Sequence, residues 1–317
     1  MMEFEPSYLK LLNTGEIEER IKKLYKILER CELCPRKCHV NRIKGEKGIC
    51  RAGFKMKVSS YFPHFGEEEV LVGTHGSGTI FLSNCNLRCV YCQNFEISHL
   101  GEGEERTEEE VGRMMLNLQE AGCHNINLVT PTHYAPQLVK AIKIAADKGL
   151  RLPIVWNCGG YENVEVIKLL DGIVDIYMPD IKYGDNKVAK KYSNPPVLDY
   201  WDRCREAIKE MHRQVGDLKI NEKGLAFKGL LIRHLVLPND IARTENVLNF
   251  IAKEISPNSY VNVMSQYFPY GEVVMKPKKY LELSRLITSE EYKRAVEVAV
   301  KLGLTRGLEE KQLRRII

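Results

Sequence analysis

With 317 residues and 44% hydrophobic content, the chain is long enough to bury one large core and a small appendage, which excludes a disordered or fibrous protein. Forty-seven lysines and arginines against 42 acidic residues leave a formal charge of +5, too mild for this length to imply a nucleic-acid partner. No run of eighteen apolar residues occurs and Met1-Met2-Glu3-Phe4-Glu5-Pro6 lacks the basic flank of a signal peptide, so no membrane partner and a cytoplasmic location are expected.

In chain order, residues 16–29 place Ile17, Ile21, Leu24 and Leu28 at helical spacing, with Thr14 and Gly15 suited to the helix start. The helix leads into Cys31, Cys34, Cys38 and, after the turn-rich Gly45-Glu46-Lys47-Gly48, Cys50. Ten cysteines in a reducing compartment read as metal ligands and free thiols. This set, spaced C-x2-C-x3-C-x11-C, closes a four-thiolate site for zinc or an iron-sulfur cluster, with Arg36, Lys37, Arg42 and Lys44 around it to favour an anionic centre.

From about Val58 the chain alternates short β-branched runs with helical patterns, the signature of repeated βα units. Six strands are predicted, at residues 78–82, 125–129, 152–156, 173–178, 229–237 and 261–266, with helices at 107–121, 135–148, 164–170, 200–212 and 244–255 between them. Right-handed crossovers between parallel strands give an α/β fold, a partial (β/α)6 barrel open on one side. Thr288 and Glu291 form a capping box for a last helix ending at Gly303. The expected organisation is a cysteine-rich segment at 1–57, the barrel at 58–283 and a helical cap at 284–317.

The strand ends carry the chemistry, because the loops there converge on one mouth. The first leads into Cys85, Cys89 and Cys92, spaced C-x3-C-x2-C with Tyr91 before the last cysteine. Three thiolates on a four-iron cluster leave one iron open to a small molecule. The later ends offer Thr130, Thr132 and His133, then Asn157 and Cys158, then Asp180 and Lys182, then Arg233 and His234, then Gln266. Asp180 and Lys182, two apart in an extended segment, face one side as an acid-base pair. Cys123 and Cys204 read as buried single thiols, whereas Cys158 stands at the rim within reach of a substrate radical.

The strand followed by the three-cysteine motif and Tyr91 resembles the radical S-adenosylmethionine superfamily. The fuller likeness, through Cys31 to Cys38, Cys92-Gln93-Asn94, Val129 to Tyr134, Asp180 to Tyr183 and Arg233 to Pro238, is to its pyruvate formate-lyase activating enzyme-like proteins. The resemblance implies a 4Fe-4S cluster on Cys85, Cys89 and Cys92 and S-adenosylmethionine cleaved reductively to a 5'-deoxyadenosyl radical. That radical would abstract hydrogen from a protein glycine or a small metabolite, with ferredoxin or flavodoxin as the reductant. It also implies that Tyr91 packs near the adenine and that Asn157, Asp180 and Lys182 bind the ribose, the carboxylate or the substrate. Where the family usually reads Gly-Gly-Glu-Pro, this chain reads Thr130-Pro131-Thr132-His133, so oxygens of Thr130 and Thr132 are the candidates to accept from the methionine ammonium. The alternative from another class is a non-catalytic iron-sulfur protein that carries electrons or binds a partner.

Overall fold

The computed structural model describes residues 4–308. Nine strands make one sheet: β1 (Met56–His64), β2 (Ser77–Leu82), β3 (Glu104–Arg106), β4 (Ile126–Val129), β5 (Ile154–Cys158), β6 (Ile176–Pro179), β7 (Lys219–Ile220), β8 (Ala226–Leu235) and β9 (Tyr260–Met264). Six of them, β2, β4, β5, β6, β8 and β9, pair in that order and all in parallel. These are the six predicted strands, and they form the expected open, partial βα barrel. Two antiparallel strands extend its first edge, β1 on β2 and β3 on β1, and β7 folds back on β8.

Alternation along the strands builds two apolar layers. Ile154, Trp156, Tyr177, Leu230 and Ile232 face the helices and join the main core. Val155, Ile176, Met178 and Leu231 point to the inside, where Leu71 from the short helix Glu69–Val72 plugs them into a second cluster. Tyr8, Ile17, Leu24 and Leu28 of the N-terminal segment belong to the main core, so that segment packs on the outer helices. Among the described residues no helix is long and apolar enough to cross a membrane.

The predicted helices recur as Glu16–Lys26, Glu108–Glu120, Ala135–Asp147, Val164–Leu169, Tyr200–Val215 and Thr244–Phe250, the last continued by a widened turn, Ile251–Ile255. The final helix is Ser289–Lys301, with the Thr288/Glu291 capping box formed.

Local departures have local causes. Thr14 does not start the second helix: its hydroxyl bonds back to Lys10 and Leu11 carbonyls, and Gly15, at φ 75°, both ends one helix and begins the next. β5 begins two residues late because Leu152-Pro153 supplies no N–H at Pro153. β6 begins at Ile176 because the backbone N–H groups of Ile173 and Val174 donate back to Leu170 O, at 2.9 and 3.3 Å, in the turn that ends the preceding helix; the Asp175 carboxylate then accepts from the N–H groups of Ile154 and Ser7, at 3.0 and 2.9 Å.

Candidate active site

The loop after β2 carries Cys85, Cys89 and Cys92 at the carboxyl end of the sheet. Asn84 and Arg88 adopt positive φ, 76° and 56°, so the backbone turns twice within the motif. The segment after the helix Asn186–Tyr192 holds it from one side: Val90 N–H donates to Tyr192 O at 2.9 Å and Asn194 N–H to Arg88 O at 3.0 Å. Two donors address the sulfurs, Leu87 N–H to Cys85 Sγ at 3.4 Å and Ser98 Oγ–H to Cys92 Sγ at 3.2 Å. Burial pushes the Cys89 thiol up to about 12, a shift that a bound cation reverses.

All three cysteines line one cavity of about 390 Å³, together with Thr130, Asn157, Asp180, Lys182, Arg233 and Gln266 from the other strand ends. A roomier outer groove of about 670 Å³, between Pro35, Glu162 and Arg213, holds no thiol and lies away from this chemistry.

A charged layer lies beside the cysteines. Asp180 receives Lys182 Nζ at 2.7 Å on one oxygen and Arg233 Nε at 2.8 Å on the other. Arg233 also donates to Asn157 Oδ1 at 2.7 Å and pairs with Glu67 at 3.1 Å. Burial opposes ionisation of Asp180, yet Arg233 and Lys182 hold its carboxyl down at about 2. Burial likewise disfavours the Lys182 ammonium, but Asp180 and Cys89 hold it above its ordinary value. Burial raises Glu67, against Arg233. Each charge is fixed by a partner, so the layer is preorganised. Tyr91 is buried at the wall, edge-on to Tyr183 and Tyr267 at 6.2 and 5.8 Å.

The second cysteine set is equally assembled. Cys31, Cys34, Cys38 and Cys50 line one small pocket with Arg42 and His133. Arg42 is 1% exposed; it donates to His133 O at 2.6 Å and to Gly53 O, and lies 5.7 Å from the Tyr134 ring centroid.

Comparison with known proteins fits this geometry. The model of the radical SAM superfamily matches residues 79–223, from β2 through β7, taking in the thiol loop and the ends of β4, β5 and β6. An uncharacterized protein of Methanocaldococcus jannaschii is 32% identical over 95% of this chain and 83% of its own. The chain belongs to the radical SAM superfamily. A second uncharacterized protein of that organism is 26% identical, over 57% of each chain. A solved structure, HydG, described as a maturase of the [FeFe]-hydrogenase, is 16% identical and overlays 74% of this chain with a TM-score of 0.48; the chain spans about half of it, 52%. A radical SAM chain uses a 4Fe-4S cluster and S-adenosylmethionine, and the thiol loop fits the first: three sulfurs and two donors to them open on one cavity.

The radical SAM barrel places Tyr91, from the thiol loop, and Thr130, Asn157, Asp180 and Lys182, from the later strand ends, along the cavity. Thr132 is not among the residues lining it. Its hydroxyl donates to the buried Glu162 at 2.6 Å. His133 is bonded to Ser83 O at 2.8 Å, and His234 sits between Ile181 O and the Thr244 hydroxyl at 2.7 and 2.9 Å; both are buried and kept neutral. Cys158 reaches the cavity wall but is 2% exposed, and burial pushes its thiol well up, so it is no thiolate. Arg233 proves to be the hub of the polar layer. His64, the last residue of β1, and Glu67, in the turn after it, were missed because that antiparallel strand lies outside the βα pattern; the acidic run Glu67-Glu68-Glu69 after Gly66 was the available signal.

Proposed function

We propose that Cys85, Cys89 and Cys92 ligate three irons of the 4Fe-4S cluster and that S-adenosylmethionine occupies the cavity beside them. One observation supports this most: three thiols from a single loop share a cavity with a fixed layer of Asn157, Asp180, Lys182 and Arg233. When bound and reduced, the cluster supplies the electron that cleaves the sulfonium to methionine and a 5'-deoxyadenosyl radical. Asp180 steers the Lys182 ammonium towards the cavity to take the methionine carboxylate, and Arg233 fixes Asp180 and Asn157 in place. Thr130, at φ 61°, turns the backbone after β4 into the cavity as an acceptor for the methionine ammonium, and Tyr91 gives the adenine an aromatic wall.

In this reading the radical abstracts hydrogen from a protein glycine or a small metabolite, the activating-enzyme-like chemistry that the sequence motifs resemble. Reduced ferredoxin or flavodoxin in the cytoplasm supplies the electron. The N-terminal thiols hold a separate, fully ligated centre, zinc or a cluster.

The test is anaerobic reconstitution with iron and sulfide, reduction, addition of S-adenosylmethionine, and assay for 5'-deoxyadenosine. The expected result is product from the wild type and none from a Cys89→Ala variant that still folds. No product, with a cluster spectrum unchanged by the cofactor, refutes the reading.

A further inference from the structure

The N-terminal cysteines are the largest built feature that the reaction above does not use. Their pocket is made for an anion. Arg42 buries its guanidinium against carbonyl oxygens, and among the described residues it forms no ion pair with a carboxylate. A buried cation without a counter-ion is costly, and a thiolate-ligated centre in the same pocket supplies the missing negative charge. Gly48 is required there: a Cβ would lie 2.8 Å from Cys38 Cβ and 2.9 Å from its sulfur.

Position favours a cluster over zinc: the thiol pocket is tied directly to the loop that carries Cys85, Cys89 and Cys92, where an electron is consumed and a zinc ion, which has no redox chemistry, could pass none.

Two bridges join this centre to the first. Arg36, between Cys34 and Cys38, donates to Asn86 O at 3.0 Å and Leu87 O at 3.5 Å, both between Cys85 and Cys89. Arg51, next to Cys50, donates to His99 O at 3.3 Å, and the adjoining Ser98 donates to Cys92 Sγ. The outer side of the segment is basic. Between Arg30 and Lys55 eight lysines and arginines stand against Glu32 and Glu46, so this stretch alone exceeds the +5 of the whole chain. Lys44, Lys47 and Arg51 are exposed and, among the described residues, unpaired with any carboxylate.

We propose that Cys31, Cys34, Cys38 and Cys50 hold a second iron-sulfur cluster, and that an acidic one-electron carrier protein docks on the basic face around it and delivers its electron there. This deepens the proposed function and rests on it for the destination of the electron. One electron leaves the reduced carrier, crosses the Cys31–Cys50 centre, then the Cys85–Cys92 centre, and ends in the carbon–sulfur bond that breaks. The carrier is the species oxidised and the sulfonium the species reduced.

The experiment starts with the full chain reconstituted anaerobically, with iron, sulfide and zinc counted per chain. About eight irons and no zinc are expected, and about four irons in a Cys85→Ala/Cys89→Ala/Cys92→Ala variant. About four irons with one zinc in the wild type overturns the assignment. Docking is read with Lys47→Glu/Lys55→Glu, two exposed residues of the basic face, which leaves every thiol and the residues around the thiolate centre in place. Deoxyadenosine formation driven by reduced ferredoxin or flavodoxin should fall about tenfold at low salt, while the rate with titanium citrate stays unchanged. Equal loss with both reductants, or no loss with either carrier, overturns the docking. Eight irons with no deoxyadenosine under any reductant leaves the second cluster standing and refutes the radical reading instead.

Discussion

Arg233→Met is the substitution that most directly tests the polar layer. Asp180, held at about 2 against an ordinary 3.8, contributes about 2 kcal/mol at neutral pH, since each pH unit of displacement is worth about 1.4 kcal/mol. That contribution is complete above pH 3.8 and is lost as pH falls towards 2. Without Arg233, Asp180 keeps Lys182, but Glu67 is left with only His64, at 3.5 Å. Removing one member of such a buried network costs about 3–5 kcal/mol, or roughly 4–8 °C in Tm for a chain of this size. The sign of the pH dependence is specific. Glu67, already raised by burial, would be raised further, so its contribution is present below its ordinary 4.5 and lost as pH rises through the folded value. The gap in Tm between wild type and variant should therefore widen from pH 5 to pH 8, read by anaerobic scanning fluorimetry. Arg233→Met/Glu67→Gln should recover part of the loss by removing the unpaired carboxylate. A variant within 2 °C of wild type, or a gap that narrows as pH rises, refutes the network as drawn.

Glu162→Gln tests a second buried carboxyl, raised by burial to about 7 from an ordinary 4.5. The unfolded chain ionises first, so wild-type stability falls by about 3 kcal/mol between pH 4.5 and pH 8; the variant should match wild type at pH 4 and exceed it at pH 8 in urea titrations. Ser98→Ala removes the hydroxyl donor to Cys92 Sγ. A hydrogen bond of about 1 kcal/mol favours the more negative, reduced centre, so the midpoint potential should fall by about 40 mV in an EPR-monitored redox titration. An unchanged potential would mean that Cys92 is not a cluster ligand or that water replaces the hydroxyl.

Much of the barrel was legible because each of its parallel strands is an apolar run followed by a polar loop, and that order names both the sheet and the site at its carboxyl ends. Spacing in sequence also fixed the Asp180–Lys182 pair, since two residues apart in an extended segment leaves both side chains on one face. What spacing does not carry is the direction of a side chain after a turn. Thr130 and Thr132 differ by the same two residues, yet a positive φ at Thr130 and the 3-10 turn Thr132–Tyr134 send the second hydroxyl to Glu162. The rule that placed Lys182 fails where the strand has already ended.

The residues that finish the site come from across the barrel's open side. The turn after β1 reaches β8 through Glu67 and Arg233 and β9 through Glu68 and Asn262, the latter at 2.9 Å. An open sheet leaves inward-facing polar groups such as Arg233 and Asn262 without neighbours on one flank, and a buried cation demands a carboxylate. The sequence shows the demand, an arginine inside an apolar strand, but the supply lies some 166 positions away in the acidic run between β1 and β2. That pairing is set by the fold across the barrel's open side, so the sequence places Arg233 at a strand end and only the folded chain makes it a hub.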